Sequence, residues 1–184
     1  MNRETRRDLL VFLLLLAFGV LGRWAQPAWN FTPLAAVTAI GAFYFRNWLP
    51  AILLPSAMLV ISDLWLPMHD SRLVLVAVHL SAVFPLLLGR VARNSEGWRR
   101  ALAWGLCGFV PATAFFLVTN FAVWASKSLY EPTLAGLIDC YVKALPFYRT
   151  MLAGDVCYVA LAAACLAAAQ VLDHRTTAAE ALRK

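Results

Sequence analysis

An all-α membrane protein of about six transmembrane helices is the fold class this sequence predicts, and three observations predict it. Six runs are predominantly apolar over lengths close to the ~20 residues that a helix needs to cross about 30 Å of hydrocarbon. Only 14% of the 184 residues are charged and 62% are hydrophobic, against roughly 25% charged in a soluble domain. Trp24, Trp29, Trp48, Trp65, Trp98 and Trp124 all fall near the ends of those runs, where amphipathic rings settle at the bilayer interface.

The runs cover residues 8–24, 31–45, 49–66, 71–89, 101–125 and 151–172 within a single domain, 1–184. The first resembles a secretory signal, an apolar stretch after MNRETRRD, but Arg23 and Trp24 in GRWAQPAWN make a poor cleavage site, so it is read as a helix. Asn30 is a plausible N-cap for the second, with Pro33 in its first turn. That run is short and holds Thr38 and Gly41, as helices beside a cavity often are.

Between the fifth and sixth runs lies the longest connection, residues 126–150, read as the outer lid of a binding site. Its middle, residues 133–144, places Leu134, Leu137, Ile138, Tyr141 and Val142 on one helical face. This predicts a short amphipathic helix on the outer surface, opened by Pro132 and closed by Pro146.

With the N-terminus in the cytoplasm, the inner segments carry eleven Lys and Arg and the outer ones five. The excess predicts that both termini are cytoplasmic. The net charge of +6 is scattered between apolar runs rather than striped along one face, which excludes a nucleic-acid partner.

This topology puts Asp63, Asn120 and Asp155 in one layer at the outer ends of their helices, with Asn30 and Thr32 beside them. Charges there cost about 2.5–3.5 kcal/mol even on insertion scales, so they must face one another, water or a ligand. The expected site is the polar wall of an outward-open pocket built from Asn30, Thr32, Asp63, Asn120, Tyr141, Arg149 and Asp155. The plainer alternative is that Asp63 and Asp155 cap helices or snorkel to the interface. Asp155, in the first turn of the sixth run, suits the helix dipole; Asp63, in the last turn of the third, does not and needs a partner, for which Arg149 is the candidate.

His79 is isolated mid-run, either bonded to a neighbouring backbone group or lining the cavity as a ligand. Cys140 and Cys157 lie on the outer side and either pack freely, pair or act as ligands, and the four cysteines show no metal-site spacing. Small residues at Ala35, Ala39 and Ala42, and at Ala160, Ala164 and Ala168, form faces that allow close helix contact, inside the bundle or with a partner membrane subunit. No GxSxG, HExxH, P-loop or GxGxxG is present. A hydrolytic enzyme is therefore unsupported, no cofactor or metal is implied, and any ATPase must be another chain.

The segments Asn30-Phe31-Thr32-Pro33, Ser62-Asp63-Leu64, Thr119-Asn120-Phe121, Thr133-Leu134-Ala135-Gly136-Leu137 and Pro146-Phe147-Tyr148-Arg149 followed by Gly154-Asp155 resemble an uncharacterised family of small bacterial integral membrane proteins. That family in turn resembles the substrate-binding S components of energy-coupling-factor vitamin transporters. The resemblance implies a bundle that takes a vitamin-like small molecule from outside and docks, through a small-residue face such as Ala35, Ala39 and Ala42, on a transmembrane coupling subunit. The solitary cobalamin-uptake type is nearest in size, which makes cobalamin a substrate to test. Where that type offers a cobalt-ligating cysteine, this chain offers His79, which could coordinate cobalt but not remove its upper ligand by thiol chemistry. Two other functions are carried beside this one: a membrane interaction or assembly protein that binds no small molecule, and an intramembrane enzyme using Asp63, Asp155 or His79.

Overall fold

The structure is a computed structural model that describes residues 2–67, 69, 71–127 and 129–181, with side chains followed through residue 169. Among the described residues there are eight helical segments and no strand. They are α1 (Arg3–Trp24), α2 (Leu34–Tyr44), α3 (Trp48–Asp63), α4 (Arg72–Ser81), α5 (Val83–Arg93), α6 (Gly97–Cys107), α7 (Val110–Ala125) and α8 (Leu134–Ala181).

Two prolines explain why eight segments make six rods. Pro85 sits one turn after Ser81, where α4 gives way to α5. Pro111 opens α7 just past Gly108. In each case the missing N–H and the ring's clash with the carbonyl four residues back interrupt the helical ladder. Among the described residues, the two broken rods, Arg72–Arg93 and Gly97–Ala125, and Leu134–Ala169 of α8 are three helices that are long and apolar enough to cross a membrane. Leu14, Leu49, Val60, Leu80 and Leu161 are among many large apolar side chains exposed on the outside. An apolar exterior of this extent marks a membrane protein.

The rods alternate in direction, so the bundle has two ends. One carries Asp63, with the C-terminus of α1 and the N-terminus of α2; the other carries Arg90, with the C-termini of α2 and α5. At 11 residues α2 is about 16 Å long. It is buried along nearly its whole length, by α1 and α3 on one side and α5 on the other, as expected of a helix that is apolar all round. Its tightest contact is with α5, where a Cβ on Gly89 would fall on the backbone of Ala39. The alanines expected to dock a partner, Ala35, Ala39 and Ala42, are 4%, 0% and 0% exposed. Buried inside the bundle, with Ala39 against α5, they offer no face to another chain, which corrects the docking reading. Ala160, Ala164 and Ala168 of α8 do face outward.

The short length of α2 leaves backbone groups to be satisfied at its ends. At the Arg90 end two arginines do so. Arg93 Nη1 donates to the carbonyls of Phe43 and Tyr44, both at 2.7 Å, and Arg90 Nη1 donates to those of Phe45 at 2.9 Å and Arg46 at 3.2 Å. Arg90 also lies 4.3 Å over the Trp48 ring, a cation–π contact.

Two expected boundaries are corrected. Helix α2 begins at Leu34 with Pro33 before it, and Asn30 sits in a turn at φ 68° rather than capping the helix, a left-handed conformation that Asn tolerates better than most residues. The segment read as a separate amphipathic helix and lid is the start of α8, which runs through Pro146 without ending. Packing against α7 holds this part of α8 in place on both sides of Pro146. Tyr141 Oη donates to the Leu117 carbonyl at 2.7 Å, Cys140 Sγ to that of Asn120 at 3.4 Å, and the Phe116 and Tyr148 rings lie 4.8 Å apart. Ser128 of the expected lid, and Arg183 and Lys184 of the charge count, lie outside the described residues.

Candidate functional site

Where α2 stops short, the Asp63 end is hollow. A cavity of about 460 Å³ extends from the turn before α2 down to Pro85 and Pro111, at the two helix breaks. That volume lies within the ~300–1,000 Å³ range of small-molecule sites, which are largely apolar with a few converging polar groups. The walls fit the description: Leu59, Val74, Val78, Phe115, Phe116 and Phe147 are apolar, and the polar groups come from several different helices.

Of the residues expected at a site, Asn30, Thr32, Asp63, Asn120 and Asp155 line this cavity. Asn120 Nδ2 donates to the Phe116 carbonyl of its own helix at 2.7 Å, which orients the amide. Thr32 and its neighbour Phe31 approach α8 closely, because Gly154 leaves room: a Cβ there would sit 3.1 Å from Phe31 Cα and 3.2 Å from the Thr32 nitrogen. Thr150 Oγ1, one turn before Gly154, donates to the Trp29 carbonyl at 2.8 Å and fastens the same loop to α8.

Three expected site residues are elsewhere. Arg149 is exposed on α8, Tyr141 is turned to α7, and His79 is on the flank of α4 with Nδ1 at 3.0 Å from its own Leu75 carbonyl. None of the three lines the cavity. Asp63 accordingly has a partner other than Arg149. Arg23, in the last turn of α1, donates from Nη1 to Asp63 Oδ1 at 2.9 Å and also to Ser62 Oγ, and His69 Nε2 lies 3.1 Å from Asp63 Oδ2. Ser62 is buried and passes its own proton to the Met58 carbonyl at 2.6 Å, while Trp24 Nε1 donates to the Ser62 carbonyl at 3.0 Å. The anion disfavoured at the C-terminus of α3 is thus neutralised by the end of α1.

Asp155 is also placed differently from its expected position. It lies 21 residues into α8 rather than in a first turn, so its own helix start does nothing for it. It is 5% exposed and lies beside the backbone of Ala112, in the first turn of α7. Ala112 is one of the amides left without a helical acceptor by the break at Pro111. Among the described residues no cationic side chain pairs with Asp155.

Sequence reasoning missed Arg23, Gln26, His69 and Phe116 of the cavity wall, while Thr119 and Tyr148 stood in the quoted segments without being among the expected site residues. Arg23 had a signal, a cation inside the last turn of an apolar helix, but it was read only as a topology charge. Tyr148, Met151 and Asp155 recur at helical spacing, which is legible only once residues 134–155 are known to form one helix.

The fold and the hollow define a class: a small, all-helical membrane protein with a polar cavity at one end of its bundle. More particularly, the chain belongs to DUF6580, a family of unknown function whose profile matches residues 3–178. No curated protein and no solved structure matches it. Among the described residues, no three His, Cys, Asp or Glu side chains gather as they would around a metal.

Proposed function

We propose that the protein is a substrate-binding subunit for uptake of a vitamin or related micronutrient, similar in organisation to the S components of energy-coupling-factor transporters. It is not an enzyme in this reading. The observation that carries the proposal is the cavity: about 460 Å³ of space with convergent polar groups on apolar and aromatic walls, reached from the Asp63 end. A filled bundle with a flat polar face would have favoured an interaction protein instead. The volume is at the small end of ligand sites and suits a compact molecule of one or two rings better than a corrin macrocycle, so cobalamin is not the first choice.

In this proposal all six rods cross a bacterial inner membrane. The Lys and Arg excess puts the Arg90 end and both termini in the cytoplasm and opens the cavity outward. With Ala35, Ala39 and Ala42 buried, a coupling subunit, with its ATPases in other chains, would have to meet another face.

The test is native mass spectrometry of protein purified gently in detergent, searching for co-purified small molecules and then titrating a vitamin panel that includes cobalamin. A vitamin bound by the wild type, and lost in Asp63→Asn or Asn120→Ala variants that still fold, is the expected result. Lipid alone, with no shift from any vitamin, would overturn the reading and move the interaction protein ahead.

A further inference from the structure

Among the described residues, four acidic or basic side chains line the cavity: Arg23, Asp63, His69 and Asp155. The first three form one cluster, in which the guanidinium cancels the Asp63 carboxylate at 2.9 Å and His69 adds a third contact. Asp155 stands apart from it. It is 5% exposed and lines the cavity, and among the described residues no cationic side chain pairs with it, so that the start of α7 beside it is its nearest source of positive charge. A helix N-terminus supplies roughly half a positive charge at most, and a carboxylate in a poorly hydrated interior needs a full one or a proton.

Resting on the uptake reading, we infer that the molecule this cavity takes is a flat organic cation, its positive group seated on Asp155. A metal ion fits poorly, because hard cations require about six oxygen ligands and, among the described residues, Asp155 belongs to no group of three His, Cys, Asp or Glu side chains. The walls favour an aromatic cation. Tyr148 is seven residues before Asp155 on the cavity face of α8, about 10 Å along the helix, and its ring packs against Phe116 at 4.8 Å. The span from carboxylate to ring pair matches a molecule of one or two rings, and electron-rich faces attract such cations further. At the far side the first turn of α2 has no side-chain cap, so its free amides suit a carbonyl or other acceptor on the same molecule.

Probes that differ in charge and little else decide the matter: N1-methylnicotinamide (cation), nicotinamide (neutral) and nicotinate (anion), with N-methylquinolinium and quinoline as a two-ring pair. Affinities are measured by isothermal titration in detergent for the wild type and for Asp155→Asn, which keeps the shape of the side chain and removes its charge. The wild type should favour a cation over its neutral partner about tenfold to a hundredfold, the range of a hydrogen bond to a charged group. Asp155→Asn should bring the two close to parity while melting near the wild-type temperature. Should Asp155→Asn fail to fold, the wild-type charge preference alone decides. Binding of neutral or anionic members as well as cations would overturn this inference and leave the uptake reading standing. A vitamin bound in the broader panel but no cation here would do the same, and no binding in either panel would overturn both.

Discussion

The two ends of the bundle each hold arginines in a largely apolar setting, and the arginines do different things. At the Arg90 end, Arg90 and Arg93 donate to four backbone carbonyls at the end of α2 and close the structure. At the Asp63 end, Arg23 donates to a carboxylate and a serine at the rim of a cavity. The difference follows from α2. Beyond its C-terminus the chain turns back at once into α3, so orphan carbonyls must be covered. Beyond its N-terminus the connection from α1 passes over the top and leaves a hollow. One end is built to be solid and the other to be entered.

The most severe way to break the solid end is Gly89→Ala. The added methyl would fall on the backbone of Ala39, which cannot rotate away as a side chain could, so α2 and α5 must separate. The expected loss is about 3 kcal/mol or more, at the top of the range for overpacking, read as failure to purify as a monodisperse species or a sharply lowered melting temperature. The equivalent change at the open end, Gly154→Ala, meets Phe31 and Thr32 at 3.1–3.2 Å, against 2.3 Å at Gly89, so a far smaller displacement relieves it and it should cost clearly less. Equal losses would mean that both ends are equally rigid.

Next in size is Arg23→Met. Removing one partner of a fully buried pair costs about 3–5 kcal/mol. Here the side chains are 12% and 20% exposed, and His69 stays beside Asp63, so about 2–3 kcal/mol is expected. Because the loss comes from a stranded carboxylate, Arg23→Met with Asp63→Asn should recover most of it in thermal melts. Arg93→Met should cost about 2 kcal/mol, from two hydrogen bonds made by one charged group, and no acidic substitution should rescue it, since its partners are backbone carbonyls. Rescue at one end and none at the other is the sharpest form of the comparison.

How much of this was legible in the sequence depends on which coordinate is asked for. Depth along a membrane helix is a one-dimensional quantity, and apolar run length with tryptophan position reports it well. Asp63, Asn120 and Asp155 were expected in one outer layer; all three line the cavity, but only Asp63 and Asn120 do so near its outer end with Asn30 and Thr32, while Asp155 lies deeper, beside the helix break at Gly108 and Pro111, because its helix starts at Leu134. Rotation about the helix axis is set by which neighbour packs on which face, and nothing in a run that is apolar all round reports that. Arg149 and Tyr141 are near the expected depth on the wrong faces, and Ala35, Ala39 and Ala42 turned inward rather than outward. Pro146 misled for a related reason. Its local rule ends a helix in water, but here the first turns of α8 are held by Leu117, Asn120 and Phe116 of α7. The neutralising partner of Asp63 came from α1, forty residues away in the chain, a pairing no local pattern contains.

His79 gives the smallest expected effect. It sits on the middle rod between the two ends, on α4, half-buried, bonded only to the Leu75 carbonyl one turn back, and absent from the cavity wall. A residue so placed belongs to neither end's machinery. His79→Leu exchanges an imidazole satisfied within its own helix for a side chain that lipid accepts readily, and stability should stay within about 0.5 kcal/mol of wild type, as for surface substitutions away from special features. Binding of whatever occupies the cavity should also be unchanged. The measurement is a thermal melt paired with the same titration used for Asp155→Asn. Loss of binding at wild-type stability would return His79 to the site and require α4 to turn its other face to the cavity when a ligand enters. An unchanged result confines ligand recognition to the groups that line the hollow left by α2.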